Sequence, residues 1–447
     1  MDKYFCGNFA FLQIYPKIFQ LLLSFFFVLV SKLHLNNTYL SSNQINPTTM
    51  KRLLSFVVLA CILAFSASAQ EKDTTKTQGY QFTTVKELKI TPIKDQYRSG
   101  TCWSFSTIAF IESELLRMGK PAYNLSEMWV VRNSYSDKAT KYVRLHGSLE
   151  FGTGGSFADV MNVYRNYGMV PDTVYTGMHY GETKPVQGEL DAVLKAYVDA
   201  VITDPDKKLT TAWHNGFDGI LDAYLGPKPE KFTYQGKEYT PTTFTQTLGL
   251  NPDDYVSLTS YTHHPFYSKF ILEVPDNWAW SESYNIPLAD LARVFDYSIE
   301  NGYTVAWGSD VSEKGFSYNN GVAVVPDANV AEMNNSEKLK WSKLTEKERQ
   351  AQLYKFDKPG SEKTITQEMR QKAFDNYETT DDHGMLIYGI AKDQNGTKYY
   401  MVKNSWGVSG KYEGDFYASQ AFVLYKTMNI MVNKNAIPQD IRKKLGI

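Results

Sequence analysis

Only one cysteine, Cys102, remains once the two N-terminal hydrophobic stretches of the chain are set aside. The other two, Cys6 and Cys61, lie in segments with the composition of a leader. A lone cysteine cannot form an intramolecular disulfide, so residues 70–447 must fold around a hydrophobic core without covalent cross-links. Cys102 is therefore either a reactive thiol or an inert buried one, and its neighbours decide between the two.

Residues 50–69 have the three parts of a secretory signal peptide. A basic start (Met50-Lys51-Arg52) is followed by an apolar core and by a small-residue cleavage site, Ala67-Ser68-Ala69. The core is too short for a comfortable membrane span. We therefore predict export to the periplasm or the cell exterior, and we predict that translation starts at Met50. Residues 1–49 would then be a mis-annotated leader, and a genuine membrane anchor at 19–33 is the alternative.

The charge balance gives no sign of a polyanionic partner. The chain has 47 basic and 48 acidic residues, and no basic cluster that could follow a phosphate backbone. We therefore expect no nucleic-acid partner. His263 and His264 precede Pro265 in a predicted surface loop, and no spacing resembles a zinc site. We expect neither a metal ion nor a cofactor.

The residues around Cys102 favour the reactive thiol. Apolar residues recur at steps of three and four up to Arg117, which predicts a helix that Gly119 ends. These residues are Phe105, Ile108, Ile111 and Leu115. Cys102 would lie in the first turn, where free backbone N–H groups and the helix dipole stabilise a thiolate. Ser99-Gly100 would form a tight turn that lets a substrate backbone approach closely.

A thiolate nucleophile needs a base that is held in one tautomer. Among the histidines after the leader, only His383 opens a strand-like run. Asp393-Gln394-Asn395-Gly396 predicts a hairpin turn, and residues 398–403 return as the second strand. The hairpin brings Asn404 close to His383, where its amide can accept the imidazole N–H and the indole of Trp406 can shield that bond from water. Taken alone, Asn404 could equally be a turn-forming residue.

With these residues in place, the chain resembles the papain-like cysteine peptidases. Four motifs stand in the order of that family: Gln96 six residues before Cys102, Gly154-Gly155, Asp382-His383-Gly384 and Asn404-Ser405-Trp406-Gly407. The resemblance implies an α+β fold in which a helical lobe headed by Cys102 faces a β-rich lobe that carries His383 and Asn404. It also implies that Gln96 stabilises the oxyanion. Three residues would contact the substrate: Gly154, Gly155 and Trp406.

Within this family the chain is similar to the bleomycin hydrolase/aminopeptidase C branch. The run Arg98-Ser99-Gly100-Thr101-Cys102-Trp103 resembles the branch's Ser-Ser-Gly-Arg-Cys-Trp, and its serine replaces the disulfide cysteine usual in secreted papains. Cys102 and His383 are also much further apart than the roughly 130–150 residues of simple papains. The branch carries a large, mainly helical insertion, which we expect at about residues 180–380 of one peptidase domain, residues 70–447.

Two departures from the branch bear on function. The branch ends in an arm that lies in the active-site cleft and makes its members aminopeptidases. Residues 436–441 resemble the helix before that arm, so we expect the arm to be missing here. The segment before Cys102 is short, which disfavours the hexamer of the branch and leaves a homo-oligomer doubtful.

We predict an exported aminopeptidase C-like enzyme that acts on peptides or proteins, with an open-cleft endopeptidase as the alternative. A transglutaminase-type acyl transferase would typically use Asp as its third residue, so Asn404 argues against it. A non-catalytic binding protein on this scaffold would usually have lost a catalytic residue, and none is missing.

The insertion contains clear amphipathic patterns. They predict three helices and a buried strand, at residues 190–201, 213–225, 288–299 and 303–307. Residues 326–378 are charged and polar, and they predict a solvated excursion with a capping box at Thr345 and Glu348. A substrate-gating lid is the alternative for that segment.

Overall fold

The computed structural model describes residues 79–206, 208–328, 330 and 333–447. The predicted leader and signal peptide lie outside these residues, so the expectations for them stay predictions. In the described part, buried apolar side chains form two large cores, one among helices and one around a β-sheet. The helical and β-rich halves that the motifs predict are therefore both present.

Six helices build the first core. They are Cys102–Arg117 (α1), Glu127–Arg144 (α2), Phe157–Asn166 (α3), Gly188–Ile202 (α4), Ala212–Leu225 (α5) and Pro241–Leu248 (α6). Helix α1 has the predicted bounds and runs through the middle of this core, since every residue from Trp103 to Leu115 is buried. Helices α4 and α5 confirm the amphipathic patterns of the insertion. Gly226, with φ 95°, ends α5.

The second core lies around an eleven-stranded sheet. In chain order the strands of the described residues are Phe82–Glu87 (β1), Phe232–Tyr234 (β2), Lys237–Tyr239 (β3), Tyr255–Thr259 (β4), Lys269–Ile271 (β5), Glu282–Asn285 (β6), Val305–Ser309 (β7), Phe316–Ser317 (β8), Val322–Ala323 (β9), His383–Asp393 (β10), Lys398–Lys403 (β11), Asp415–Ser419 (β12) and Thr427–Asn433 (β13). The sheet order is β5-β6-β4-β13-β7-β10-β11-β12-β9-β8, with β1 also paired to β10, while β2 and β3 form a separate hairpin.

Six further helices accompany the sheet. They are Leu288–Glu300 (α7), Asn335–Lys343 (α8), Glu346–Leu353 (α9), Gln367–Asp375 (α10), Gln420–Lys426 (α11) and Gln439–Leu445 (α12). Helix α7 confirms the predicted third helix of the insertion, and its apolar face packs in the sheet core. Within the described part of the chain, no helix combines the length and apolarity needed to cross a membrane.

The hairpin that carries the predicted base forms as the sequence indicates. Strands β10 and β11 pair with Leu386 opposite Lys403, and Gly396, with φ 85°, lies in the turn. On its other edge, the first half of β10 pairs with β7, where His383 stands opposite Ser309. The start of β10 therefore lies inside the sheet, which gives His383 a rigid backbone.

Residues 326–378 are only in part the predicted solvated excursion. Helices α8 and α9 have no buried residue, and the predicted capping box forms, with the Thr345 N–H donating to Glu348 Oε2 at 2.7 Å. Helix α10 instead docks on the sheet lobe, because the buried Arg370 donates to the carbonyl of Ser260 at 2.8 Å. None of the described residues in this segment lines the cleft that holds Cys102.

Candidate active site

Cys102 and His383 meet in one cleft between the two lobes. Cys102 is the first residue of α1 and His383 is the first residue of β10. Both line a cleft of about 610 Å³, to which the helical lobe contributes Trp103 and Gly155 and the sheet lobe contributes Gly308. The fold therefore brings together a thiol and an imidazole that are far apart in the sequence.

The His383 ring is held by Asn404, as the hairpin predicts. The two residues are buried, and His383 Nε2 lies 2.7 Å from Asn404 Oδ1. An amide oxygen can only accept, so Nε2 must donate in this bond and Nδ1 is the ring nitrogen left to accept a proton. The same Asn404 oxygen also accepts from the Ser405 N–H at 2.8 Å. The structure thus fixes the tautomer that general-base catalysis requires.

Trp406 covers this hydrogen bond. Its ring stacks on the His383 ring with centroids 4.8 Å apart and an interplanar angle of 29°. Tyr318 packs edge-on against Trp406, with its ring centroid 4.9 Å from that of the indole. Trp406 does not line the 610 Å³ cleft. The geometry therefore supports the shielding role more than the substrate contact that the resemblance implies.

Burial favours the neutral forms of both partners. It raises the pKa of the Cys102 thiol to about 12, although hydrogen bonds from the Gly384 and Trp103 N–H groups lower it in part. Burial also lowers the pKa of His383 to about 4, against smaller opposite effects from its amide partner and a nearby carboxylate. The sequence predicts a thiolate at the helix start. The stabilising N–H groups are present, but the loss of solvation outweighs them.

Gln96 is buried and its orientation is fixed by Ser405. The Gln96 N–H donates to the Ser405 carbonyl oxygen at 2.8 Å, and Ser405 Oγ donates to Gln96 Oε1 at 2.5 Å. Because the amide oxygen is occupied, the amide nitrogen is the end left to donate, and it has no hydrogen-bond partner among the described residues. Ser405 directly follows Asn404, so one chain segment positions both amides.

A buried ion network anchors the segment that leads to Gln96. Lys94 Nζ lies 3.0 Å from Glu112 of α1 and 2.6 Å from Glu127 of α2, and it also donates to the Leu125 carbonyl at 3.1 Å. Both carboxylates are buried, so Lys94 supplies the positive charge that makes their burial tolerable. The network fixes this segment against the helix that begins with Cys102.

Packing requires two glycines near Cys102, Gly100 and Gly155. Gly100 has φ 67°, and a Cβ on it would lie 2.4 Å from Thr153 Oγ1. Thr153 alone is thus a sufficient reason for this glycine, and the expected approach of a substrate backbone stays a prediction. A Cβ on Gly155 would lie 2.7 Å from a ring carbon of Trp103. Gly155 nevertheless lines the cleft, as a substrate-contacting residue should.

A loop without any recognisable motif completes the cleft. Residues 272–281 connect β5 and β6, and five of them line the cleft beside Cys102 and His383: Leu272, Val274, Asp276, Asn277 and Ser281. Asp276 lies against the predicted substrate-contacting Gly154, where a Cβ would come 1.9 Å from Oδ1. Sequence reasoning missed this loop because only the three-dimensional fold places it at the site.

One cluster of described residues has the composition of a metal site. His263, His264 and Glu273 offer three ligand atoms within 4.8 Å of one another. Both imidazoles already bond the carboxylate, at 3.1 Å and 2.9 Å. The two histidines are partly exposed, which fits the predicted surface loop. The expectation that they bind no metal stays a prediction.

Known proteins are similar to this chain in fold and sequence. Residues 79–203 match the family model of papain family cysteine proteases, and residues 340–446 match that of the peptidase C1-like family. Aminopeptidase C of Streptococcus thermophilus is 21% identical over 392 residues, which are 78% of this chain and 82% of that protein. Aminopeptidase E of Lactobacillus helveticus is 22% identical over 403 residues, 80% of this chain and 84% of that protein. The crystal structure of PepW from Lactobacillus rhamnosis HN001 shares the fold, with a TM-score of 0.60 at 18% identity over 91% of this chain and 96% of that one.

Fold and sequence together define the class: the chain is a papain-like cysteine peptidase. Within that class it is similar to the aminopeptidase C proteins of the bleomycin hydrolase branch, as the residues around Cys102 predict. The predicted family and fold are thereby confirmed, whereas the roles of the individual site residues stay predictions.

Proposed function

We propose that the chain is an aminopeptidase in which Cys102 is the nucleophile, His383 the base and acid, and Asn404 the residue that orients His383. The proposal rests chiefly on the 2.7 Å hydrogen bond between His383 Nε2 and Asn404 Oδ1, beside the cleft that holds Cys102. This bond leaves Nδ1 as the ring nitrogen that can take the thiol proton.

In the proposed reaction, His383 Nδ1 removes the proton of Cys102 as the sulfur attacks the scissile carbonyl carbon. The carbonyl oxygen becomes an oxyanion, which accepts hydrogen bonds from the Cys102 N–H and the Gln96 amide. The imidazolium then protonates the leaving amine, the C–N bond breaks, and an acyl thioester remains. A water molecule that loses its proton to His383 attacks the thioester, which releases the carboxylic acid and restores the thiol.

Two observations favour an aminopeptidase over the open-cleft endopeptidase. The loop 272–281 adds a wall to the cleft, and its Asp276 reaches the Gly154 backbone of the opposite lobe. An endopeptidase needs room for the polypeptide on both sides of the scissile bond, and this loop takes up part of it. In addition, the two curated relatives described above are named aminopeptidases.

Two matched fluorogenic peptides test the proposal, one with a free amino terminus and one acetylated. We expect the purified protein to cleave the free peptide and to leave the acetylated one nearly intact. Equal cleavage of both would identify an open-cleft endopeptidase instead. Cleavage of neither peptide would favour a non-catalytic binding protein.

On the acid side of the pH profile, kcat/KM should fall to half its maximum at a pH well below the ordinary pKa of histidine. Burial lowers the pKa of His383 from 6.5 to about 4, so the imidazole stays neutral, and able to accept a proton, until the pH falls towards that value. We expect kcat/KM for the free-amino peptide, measured between pH 3.5 and 8, to halve nearer pH 4 than pH 6.5. A midpoint at or above 6.5 would mean that a solvated histidine controls the reaction.

We also propose that the enzyme works outside the cytoplasm, because residues 50–69 have the pattern of a signal peptide. The expected N-terminus of the protein isolated from its host is Gln70. Sequencing that N-terminus tests the idea, and a peptide recovered from residues 1–49 would refute the proposed start of translation.

A further inference from the structure

The loop 272–281 is held in one shape by its own polar groups. The buried Asn277 donates from Nδ2 to the carbonyls of Leu272 and Ser281, both at 3.0 Å, and its Oδ1 accepts from the Ser281 N–H at 2.9 Å. One side chain therefore ties the two ends of the loop together. A loop with such an internal tie can position a functional side chain at its tip.

The loop bridges from the edge of the sheet to the helical lobe. It leaves β5 and returns in β6, yet two of its indoles lie over lysines of α2. Lys141 Nζ is 3.7 Å from the ring centroid of Trp280, and Lys138 Nζ is 5.5 Å from that of the buried Trp278. These cation–π contacts stabilise the loop across the cleft.

Asp276 lies at the middle of this bridge, on the wall of the cleft. Its carboxylate lines the cleft with Cys102 and rests on Gly154, but it forms no hydrogen bond or ion pair among the described residues. Burial raises the pKa of Asp276 and the positive charge of Lys138 lowers it in part, but the Nζ of Lys138 donates its hydrogen bonds to the carbonyls of Gly152 and Gly154 and not to this carboxylate. A partly buried carboxylate that accepts no hydrogen bond from the described residues is suited to bind a ligand with a charged donor.

A second carboxylate in the cleft is less suited to this role. Burial raises the pKa of both carboxyl groups in the cleft, but the positive charge of Lys138 opposes the shift at Asp276, whereas acidic neighbours add to it at Asp381 and raise its pKa to about 7. Asp276 lies instead at the Gly154-Gly155 edge, along which a substrate backbone is expected to run. Its position matches the path of the substrate, and its fixed loop sets its distance from Cys102.

We propose that Asp276 binds the α-ammonium group of the substrate, and that this contact makes the enzyme select free amino termini. This inference rests on the proposed peptidase function and adds the group that recognises the substrate. The bound ammonium donates the hydrogen bonds that the carboxylate lacks, and the carboxylate fixes how many residues lie between the amino terminus and Cys102. An acetylated terminus would leave the carboxylate unpaired and add bulk beside it.

The variant Asp276→Asn keeps the shape of the side chain and removes its charge. Because the variant loses a charge-assisted hydrogen bond, we expect its kcat/KM for the free-amino peptide to fall roughly tenfold to hundredfold. Most of this fall should come from a higher KM. The acetylated peptide should be hydrolysed at an unchanged or higher rate. The measured quantity is the ratio of the two kcat/KM values, which should fall towards one. Glu273→Gln is the matched control. It removes a carboxylate from the same loop, but this carboxylate faces His263 and His264 and not the cleft. The ratio should therefore stay unchanged.

Each outcome separates this inference from the proposed function. If Asp276→Asn keeps the wild-type preference for the free peptide while both proteins hydrolyse it, the ammonium site is wrong and the peptidase function stands. If the wild-type protein cleaves neither peptide, both proposals are wrong. An unfolding temperature of Asp276→Asn close to that of the wild type shows that the variant keeps its fold, and this readout needs no substrate.

Discussion

Replacing Cys102 by alanine is expected to abolish peptide hydrolysis. The sulfur forms the covalent bond to the substrate in the proposed reaction, and Cys102 is the free cysteine of the described residues. Removing the nucleophile of such a catalytic unit costs on the order of 10⁶ in kcat. The measurement is kcat/KM for the free-amino peptide, with wild type and variant purified side by side.

A second variant separates chemistry from folding. Cys102→Ser preserves the size and polarity of the side chain, but its hydroxyl is a much weaker acid than the thiol, so it should be nearly as inactive as the alanine variant. Both should unfold at temperatures close to that of the wild type, because the residue begins helix α1 and does not fill the middle of the core. Activity of Cys102→Ala within tenfold of the wild type would refute the assignment of the nucleophile.

Replacing Gln96 by alanine should reduce kcat by about 10² to 10³, or roughly 2.7–4 kcal/mol of transition-state stabilisation, the scale for one oxyanion-hole donor. The physical reason is that the Gln96 oxygen is held by Ser405, which leaves the amide nitrogen to donate to the developing oxyanion. KM should change little, since this hydrogen bond strengthens only in the transition state. Steady-state kinetics on the free-amino peptide provide both constants.

Two companion variants show whether the amide itself acts. Gln96→Glu retains the side-chain shape but replaces the donor by an oxygen, so it should be at least as impaired as the alanine variant. Ser405→Ala removes the hydroxyl that holds the amide at 2.5 Å and should cost much less, since the donor remains. A wild-type kcat for Gln96→Ala would place the oxyanion donor elsewhere in the cleft.

The parts of the site that local sequence controls were predictable. Asn395-Gly396 encodes the turn that joins β10 and β11, and the hairpin alone brings Asn404 next to His383. Helix α1 follows from apolar spacing, which fixes Cys102 at its first turn. Each of these features depends on residues close together in the chain, where turn chemistry and helix periodicity act directly.

The features that depend on distant burial were not predictable. The pKa of Cys102 is raised because the folded lobes exclude water, which no local motif encodes. Arg370 stands in a polar stretch, yet it is buried, and backbone carbonyls of other segments accept hydrogen bonds from its Nε and Nη1. Asp276 becomes part of the cleft only when the β5–β6 loop crosses to the other lobe. Such long-range contacts appear only in the folded chain.

The covalent intermediate provides the most direct test of the proposed mechanism. An amino acid ester with a free α-amino group is mixed with the protein, the reaction is quenched in acid within its first turnovers, and the digest is analysed by mass spectrometry. We predict that the peptide containing Cys102 gains the mass of the acyl group, and that the Cys102→Ala protein shows no acylated peptide. Product formation without acylation of Cys102, or with the acyl group on another residue, would contradict the account.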